Sequence, residues 1–491
     1  MSRVVVVGAG LAGLTAACHL VGRGHDVTVL ERDAGPGGRA GRIERGGYSF
    51  DTGPTVLTMP GLLDNAFAAA GSRMDELLTL RRLDPAYRAV FADGSVIHVR
   101  AGRAAMAEEI RRTCGPVDAV AFEDFVDWLT RLYAVELPSF IDRNLDSAFD
   151  LVRPPGPALR LLRMGAFGRL GSLVRRRFAD DRLRRLFSFQ AMYAGLAPAE
   201  ALAIYAVITY MDSVEGVWYP EGGIAALPQA LAAAVEKAGG QLRYHAPVER
   251  ILLASGSTGP VRGVRLPGGE LVAADAVVCT ADLPVAYARL LPGLPVPRVA
   301  RRGRYSPSAL VWHVGVGSKP EPQVAHHNLH FADQWDESFQ ALIGQGQLMS
   351  DPSILVTVPT VTEPRLAPSG GSVLYVLEPV PNLDGRVDWV QERPRARERL
   401  AAHVARLGYP TDVVEEELVD PLDWERQGME RGTPFALAHT FGQTGPFRPA
   451  NVDRRAPGLV FAGSGTVPGV GVPMVVISGR LAAERVDAMR R

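Results

Sequence analysis

The chain has 491 residues, 47% of them hydrophobic and 22% charged, and its 53 basic residues balance 53 acidic ones. That length calls for two or three structural units rather than one. Zero net charge excludes a long-range field that favours nucleic acid, and three distant cysteines, Cys18, Cys114 and Cys279, exclude a disulfide framework or metal spacing and imply a reducing compartment.

In chain order, Val4 to Val7 reads as a buried parallel strand. Arg3 before this apolar stretch imitates a signal peptide, but the glycine spacing inside it explains the same residues better. Gly8-Ala9-Gly10-Leu11-Ala12-Gly13 is a G-x-G-x-x-G turn opening a helix. Its glycines permit a tight turn, close approach to a pyrophosphate and close helix–sheet packing, while the helix N-terminus favours the phosphates. Val27 to Leu30 forms the second strand and ends at Glu31, 21 residues beyond Gly10, where a carboxylate accepts from ribose hydroxyls; Arg32 follows it. Strand, turn, helix, strand and acid therefore fall in the order of one dinucleotide-binding βαβ unit.

A nicotinamide enzyme resumes its βαβ repeat at this point. This chain adds Gly37-Gly38-Arg39, an arginine able to reach pyrophosphate, and then a short strand with Tyr48, Phe50 and Asp51 before Gly53-Pro54-Thr55. Residues 151–220 mix leucine, phenylalanine and methionine with nine arginines between Arg160 and Arg185, and helical spacing predicts an apolar stripe beside a basic face. Only Lys237 and Lys319 are lysines, so arginine carries nearly all positive charge and its clusters are discounted as signals. Gly222-Gly223 precede a helix expected over Ile224 to Ala238, stopped by Gly239-Gly240, and "QLRYHAPVERILL" reads as the strand after it. Near the end, Gly458 to Gly463 is a strand entering "GSGTVPGVGVPMVVISGRLAAERV", with a helix from Met474 to Val486 whose N-terminus stabilises negative charge. Leu459 to Ser478 is uncharged, but its glycines and prolines make it a poor membrane helix, and no transmembrane span is expected.

These pieces, with "FDTGPTVLTMP", "LFSFQAMYAGLAP", "GVWYPEGGIAALPQAL", "AHHNLHF", "LAPSGGSVLYVLEPVPNL" and "FRPANVDRRAPGLVFAGSGTVPGVGVP", resemble from end to end the bacterial phytoene desaturases, the carotenoid desaturase family of the FAD-binding amine oxidase superfamily. The chain departs from many relatives at Val467, where they carry histidine, which weakens a side-chain acid or base there. The resemblance implies an α/β fold: a Rossmann-type FAD-binding domain assembled from discontinuous segments, a β-sheet substrate domain and a helical membrane-associated insertion. The segments are 1–80, 221–295 and 456–491 for FAD, 81–150 and 296–455 for substrate, and 151–220 for entry from the membrane. The cofactor-binding set is Gly8, Ala9, Gly10, Leu11, Ala12, Gly13, Glu31, Arg32, Gly38, Arg39, Gly53, Pro54, Thr55, Val248, Gly463, Gly465, Thr466, Val472, Pro473 and Met474, with the strand holding Val248 passing the adenine.

The implied reaction converts phytoene, a hydrophobic C40 polyene, towards neurosporene or lycopene: hydride leaves for flavin N5, a neighbouring proton follows, and oxygen or a quinone takes the electrons. Such a substrate has no polar handle, so an apolar tunnel sets specificity. The implied location is cytoplasmic and peripheral on the cell membrane. A desaturase or oxidase of another carotenoid (a C30 diapophytoene or a later ketolase reaction) and a non-catalytic FAD protein binding isoprenoids are the alternatives; an amine oxidase lacks a nameable aromatic cage. No metal set is expected: His326-His327 point in different directions and have no companion ligands. His313 reads as a strand residue; Asp150 and Glu221 are the first carboxylates to examine as proton acceptors but read as surface or capping residues and are not assigned; Trp218 and Tyr219 read as tunnel lining or core. No catalytic residue, double-bond geometry, step number or oligomeric state follows.

Overall fold

The computed structural model describes residues 1–489. A five-stranded sheet runs Leu459–Phe461, Ala276–Cys279, Arg3–Val7, Asp26–Leu30, Gln241–Arg243, and every pairing in it is parallel. Parallel strands are covered on both faces, which is why Val4 to Val7 can be apolar without alternation. Its strands come from the beginning, the middle and the end of the chain, so the sheet closes only when distant stretches meet.

Two helices cover one face together. Leu11–Gly22 follows the first strand, and Val472–Ala488 follows the last. They pack closely because Gly479 has no side chain: a Cβ there would lie 2.4 Å from the Ala12 carbonyl oxygen. A third helix, Ala226–Lys237, also packs on Leu11–Gly22.

The expected single strand from Gln241 onward is two. Gln241–Arg243 pairs in the parallel sheet, while Arg250–Leu253 pairs antiparallel with Val261–Arg265 in a separate three-stranded sheet. Between them His245 takes a left-handed φ of 51° and Pro247 lacks a donor, so the ladder cannot continue. The amides of His245 and Ala246 bond instead to the carbonyls of Asp33 and Glu31. Val248 therefore sits in a loop, not in a strand.

A seven-stranded sheet forms the second layer, in the order Val413–Val419, Ser308–Val316, Ser372–Val380, Ile354–Thr357, His327–His330, Tyr87–Val90, Val96–Val99. It is antiparallel except where His327–His330 runs parallel to Tyr87–Val90. Residues 151–217 are mainly short helices: Pro155–Arg163 and Leu170–Arg177 pack on the long helix Pro116–Glu136, Asp181–Leu186 packs on Leu170–Arg177, and Trp218–Pro220 is a strand paired with Leu80–Arg82. The arginines of these helices do not share one basic face. Arg175 and Arg176 are exposed, but Arg177 lies over the rings of Phe125 and Trp128, Arg182 pairs with Asp180, and Arg185 donates to Ala332. The chain reverses between elements too short to hold a stripe. Among the described residues, no helix is long and apolar enough to cross a membrane.

Candidate active site

The glycine turn is built by contact, not only by spacing. Gly8 has φ +102°, and a Cβ on it would lie 2.3 Å from Thr280 Oγ1. A Cβ on Gly13 would lie 2.1 Å from the Gly8 carbonyl oxygen, so the helix can start this close to the strand only as glycine. Gly10 caps the helix and bridges to Gly37, and Gly38 turns with φ +57° against the Gly10 Cα. The backbone is thus left bare on the side where a pyrophosphate would approach.

Glu31 is buried at the end of the second strand. One carboxylate oxygen accepts from the Ala9 amide at 2.7 Å and the other from the Asp33 amide at 3.0 Å. The acid is therefore fixed at the turn and lines the same cavity. Arg32 is exposed, lines the cavity beside Glu31 and donates to the Gln427 carbonyl. Arg39 donates to Ser464 and, at 3.2 Å, to Asp282. A third of the Arg39 side chain is open, and it lines the cavity. Burial lowers its proton affinity, the Asp282 carboxylate offsets part of that, and burial raises Asp282 in turn. The second Asp282 oxygen has no partner. A cavity-facing cation with an incompletely paired acid behind it suits a phosphate group.

Gly53 permits another close approach, since a Cβ there would lie 2.0 Å from the Arg39 carbonyl oxygen. Pro54 and Thr55 then line the cavity. From the C-terminal stretch, Gly463, Gly465, Val472, Pro473 and Met474 line it too, at the N-terminus of the last helix. Thr466 also lies on the wall, but its hydroxyl turns away to the Pro449 carbonyl. Ala9 is fully buried beneath the turn, Leu11, Ala12 and Val248 line the cavity, and Gly13 stands behind it.

Sequence reading missed the residue that holds this loop. Arg448 is buried and donates to the carbonyls of Thr466, Ser464 and Leu437. Burial lowers its pKa to about 10, so it stays charged at neutral pH. It lies inside "FRPAN", but arginine abundance hid it. Asp282 and Ser464 were also unassigned because their roles depend on Arg39 meeting them across the fold.

The residues set aside fall as follows. His313 sits within Ser308–Val316, buried, with no partner for either ring nitrogen. His326 bonds Thr362 and the Thr55 carbonyl; His327 bonds Thr357 and faces Thr55 Oγ1 at 3.4 Å. Burial pushes His326 down to about 4 and His327 to about 3, so both are neutral. Among the described residues no cluster suits a metal ion. Asp150 forms a capping box with Ser147, and Glu221 pairs with Arg81 on the surface. Tyr219 is core and donates to Asp51, while Trp218 carries Arg82 over its ring. Neither lines the cavity.

That cavity has a volume of about 1540 Å³ and is continuous from the glycine turn to the seven-stranded sheet and the short helices. Beyond Thr55 its wall is largely apolar, with Phe189, Leu329, Phe331, Leu355, Leu377 and Phe435 on it. At its mouth Val152, Leu159, Leu162, Phe167 and Phe441 are exposed, Leu162 by 62%.

The family model for flavin containing amine oxidoreductases matches residues 11–487. A phytoene dehydrogenase of Streptomyces griseus is 50% identical over all of this chain and 96% of its own length. A zeta-carotene-forming phytoene desaturase of Myxococcus xanthus is 39% identical over 98% of this chain and 93% of its own. Among solved structures, an oxidoreductase from Methanosarcina mazei superposes with a TM-score of 0.63 over the full length of both chains at 17% identity, which shows a shared fold. From the first nucleotide turn to the last helix, the chain belongs to the flavin containing amine oxidoreductase family, within its carotenoid desaturases.

Proposed function

We propose that the protein dehydrogenates phytoene, a C40 polyene, to more conjugated carotenes, with FAD as its cofactor. The observation that carries this reading is one continuous cavity: a bare glycine turn with a fixed acid and a half-buried arginine at one end, apolar walls along the rest. Half of the sequence is shared with a relative named for phytoene dehydrogenation. FAD, when bound, supplies acceptance of two electrons and one hydrogen from a carbon centre.

The chain's own residues do the rest. Gly8, Gly10 and Gly38 admit the pyrophosphate, Glu31 takes ribose hydroxyls, and Arg39, from the first of the three stretches, neutralises phosphate charge where it meets Asp282 and Ser464 of the other two. The amides at the start of Val472–Ala488 favour negative charge at the reacting end of the cofactor. Leu329, Phe331, Leu355 and Leu377 hold the chain by shape and exclude water, since a hydrocarbon offers nothing to hydrogen-bond. Residues 1–80, 221–295 and 456–491 make up the cofactor part of this scheme, and 81–150 and 296–455 the substrate part. Residues 151–220 form the entry, where Leu159, Leu162 and Phe167 at the mouth dip into a membrane surface and Arg160 and Arg163 face its anionic headgroups.

Incubating the flavin-loaded protein with phytoene in liposomes and separating the products tests the reading. Products absorbing in the visible are expected, together with bleaching of the flavin band when oxygen is removed. Recovered phytoene and an unchanged flavin band would refute it.

A further inference from the structure

Making a carbon–carbon double bond removes two hydrogens, and the second leaves as a proton. The carboxylates on the cavity wall are Glu31, Asp33, Glu136, Asp212 and Asp282, and the imidazoles are His327, His330 and His439. Glu31 and Asp33 lie at the nucleotide end, and Asp282 is tied to Arg39. Glu136 is buried with one oxygen unpartnered, and burial holds it protonated, so it has no room for a proton. Burial pushes His327 and His330 down to about 3 and His439 well below the ordinary imidazole range, so these rings are poor acceptors.

Asp212 differs. It lies on a π-helical turn, Tyr210–Glu215, a geometry that recurs at functional sites because it re-aims one side chain. Tyr87 donates to one of its oxygens at 2.9 Å and Ser213 to the other at 3.2 Å, which fixes the carboxylate without neutralising it. Tyr87 also meets His327 edge-on at 6.0 Å, and His327 reaches Thr55. Asp212 is thereby tied to the wall that begins where the cofactor residues end. Tyr193, beside it, is 44% exposed and lines the cavity. The titratable groups facing Asp212 are thus Tyr87 and Tyr193; Glu215 and Tyr210 of the same turn face Tyr133.

We propose that Asp212, held by Tyr87 and Ser213 on the cavity wall, accepts the proton that completes each dehydrogenation. The inference rests on the desaturase reading above. FAD, when bound, would supply the acceptor for one hydrogen with its electron pair, and the substrate carbon would be left as a cation spread over the adjoining double bonds. The neighbouring C–H bond then breaks, its electron pair becomes the new π bond, and the proton forms an O–H bond on Asp212. It passes to water as product leaves. A carboxylate in an apolar wall also stabilises the cation before the proton departs. Burial raises Asp212 to about 7, which places its proton affinity where an acceptor must both lose and gain a proton each cycle.

The test compares wild type with Asp212→Asn, Asp212→Glu and Tyr87→Phe, each purified with its flavin. In wild type the desaturation rate rises with pH about a midpoint near 7, because the ionised carboxylate is the acceptor. In Asp212→Asn the rate falls about 100-fold and this limb disappears. Asp212→Glu retains the limb, and Tyr87→Phe shifts its midpoint. Without any turnover, infrared difference spectra of the cofactor-free protein between pH 5 and pH 9 show a carboxyl band in wild type that Asp212→Asn lacks. An unchanged flavin spectrum and affinity in Asp212→Asn show that the fold is intact. An Asp212→Asn protein with wild-type rate and pH limb overturns the inference and leaves the desaturase reading standing. A wild type that yields no coloured product overturns both.

Discussion

Glu136 illustrates how a single residue carries both cost and information. It ends the helix Pro116–Glu136, faces the cavity wall, and has one oxygen without a partner. Burial alone raises its pKa well above the usual range, so the folded protein holds it neutral. The unfolded chain releases that proton above about pH 4.3. Stability from this site is therefore fully present at acid pH and declines as pH rises towards the folded value. Glu136→Gln removes the penalty. In urea unfolding the variant should gain about 1–3 kcal/mol over wild type at pH 8 and clearly less at pH 5. An equal gain at both pH values would mean that the carboxyl is not held neutral.

At the scale of elements, the short helices of residues 151–220 matter through their outer face. Leu159, Leu162 and Phe167 are exposed around the mouth, and Leu162 is 62% open. An apolar cluster at the entrance of an apolar cavity is costly in water unless something covers it. On the proposed membrane docking, replacing Leu159 and Leu162 by serine removes roughly 3 kcal/mol of insertion energy, at about 1.5–3 kcal/mol for a fully buried side chain. Flotation with liposomes should fall at least about tenfold while flavin content stays the same. Charge reversal at Arg160 and Arg163 should weaken binding to anionic vesicles only. Flotation unaffected by the serine pair would remove this face as the docking surface. Arg177 is unsuitable for such a test because it packs over Phe125 and Trp128.

For the molecule as a whole, closure is the main physical fact. Arg39 reaches Asp282 and Ser464, so all three stretches of the parallel sheet meet at one cation. A cofactor held there binds only the assembled state. Saturating FAD at a hundredfold its dissociation constant should stabilise the protein by about 2.7 kcal/mol. Thermal unfolding followed by circular dichroism should show one transition that moves up with FAD. Two transitions, of which FAD moves only one, would show that the sheet and the cavity layers unfold independently.

Local chemistry made much of this legible in the sequence. Gly8, Gly10, Gly13 and Glu31 are close together in the chain, and each acts through backbone geometry that spacing encodes, so the turn could be read directly. The parallel strands could be read for the same reason, because Val4–Val7 is apolar without alternation. The break at His245 could not, since a positive φ and borrowed amides leave no periodic trace. Asp212, Arg448 and Asp282 were equally silent. Their meaning comes from partners on other elements, Tyr87, Ser464 and Arg39, 125, 16 and 243 residues away. Sequence determined what the chain can bind by its backbone. Tertiary structure alone decided which charges are buried, what faces them and where the cavity runs, because desolvation and pairing act through space and not along the chain.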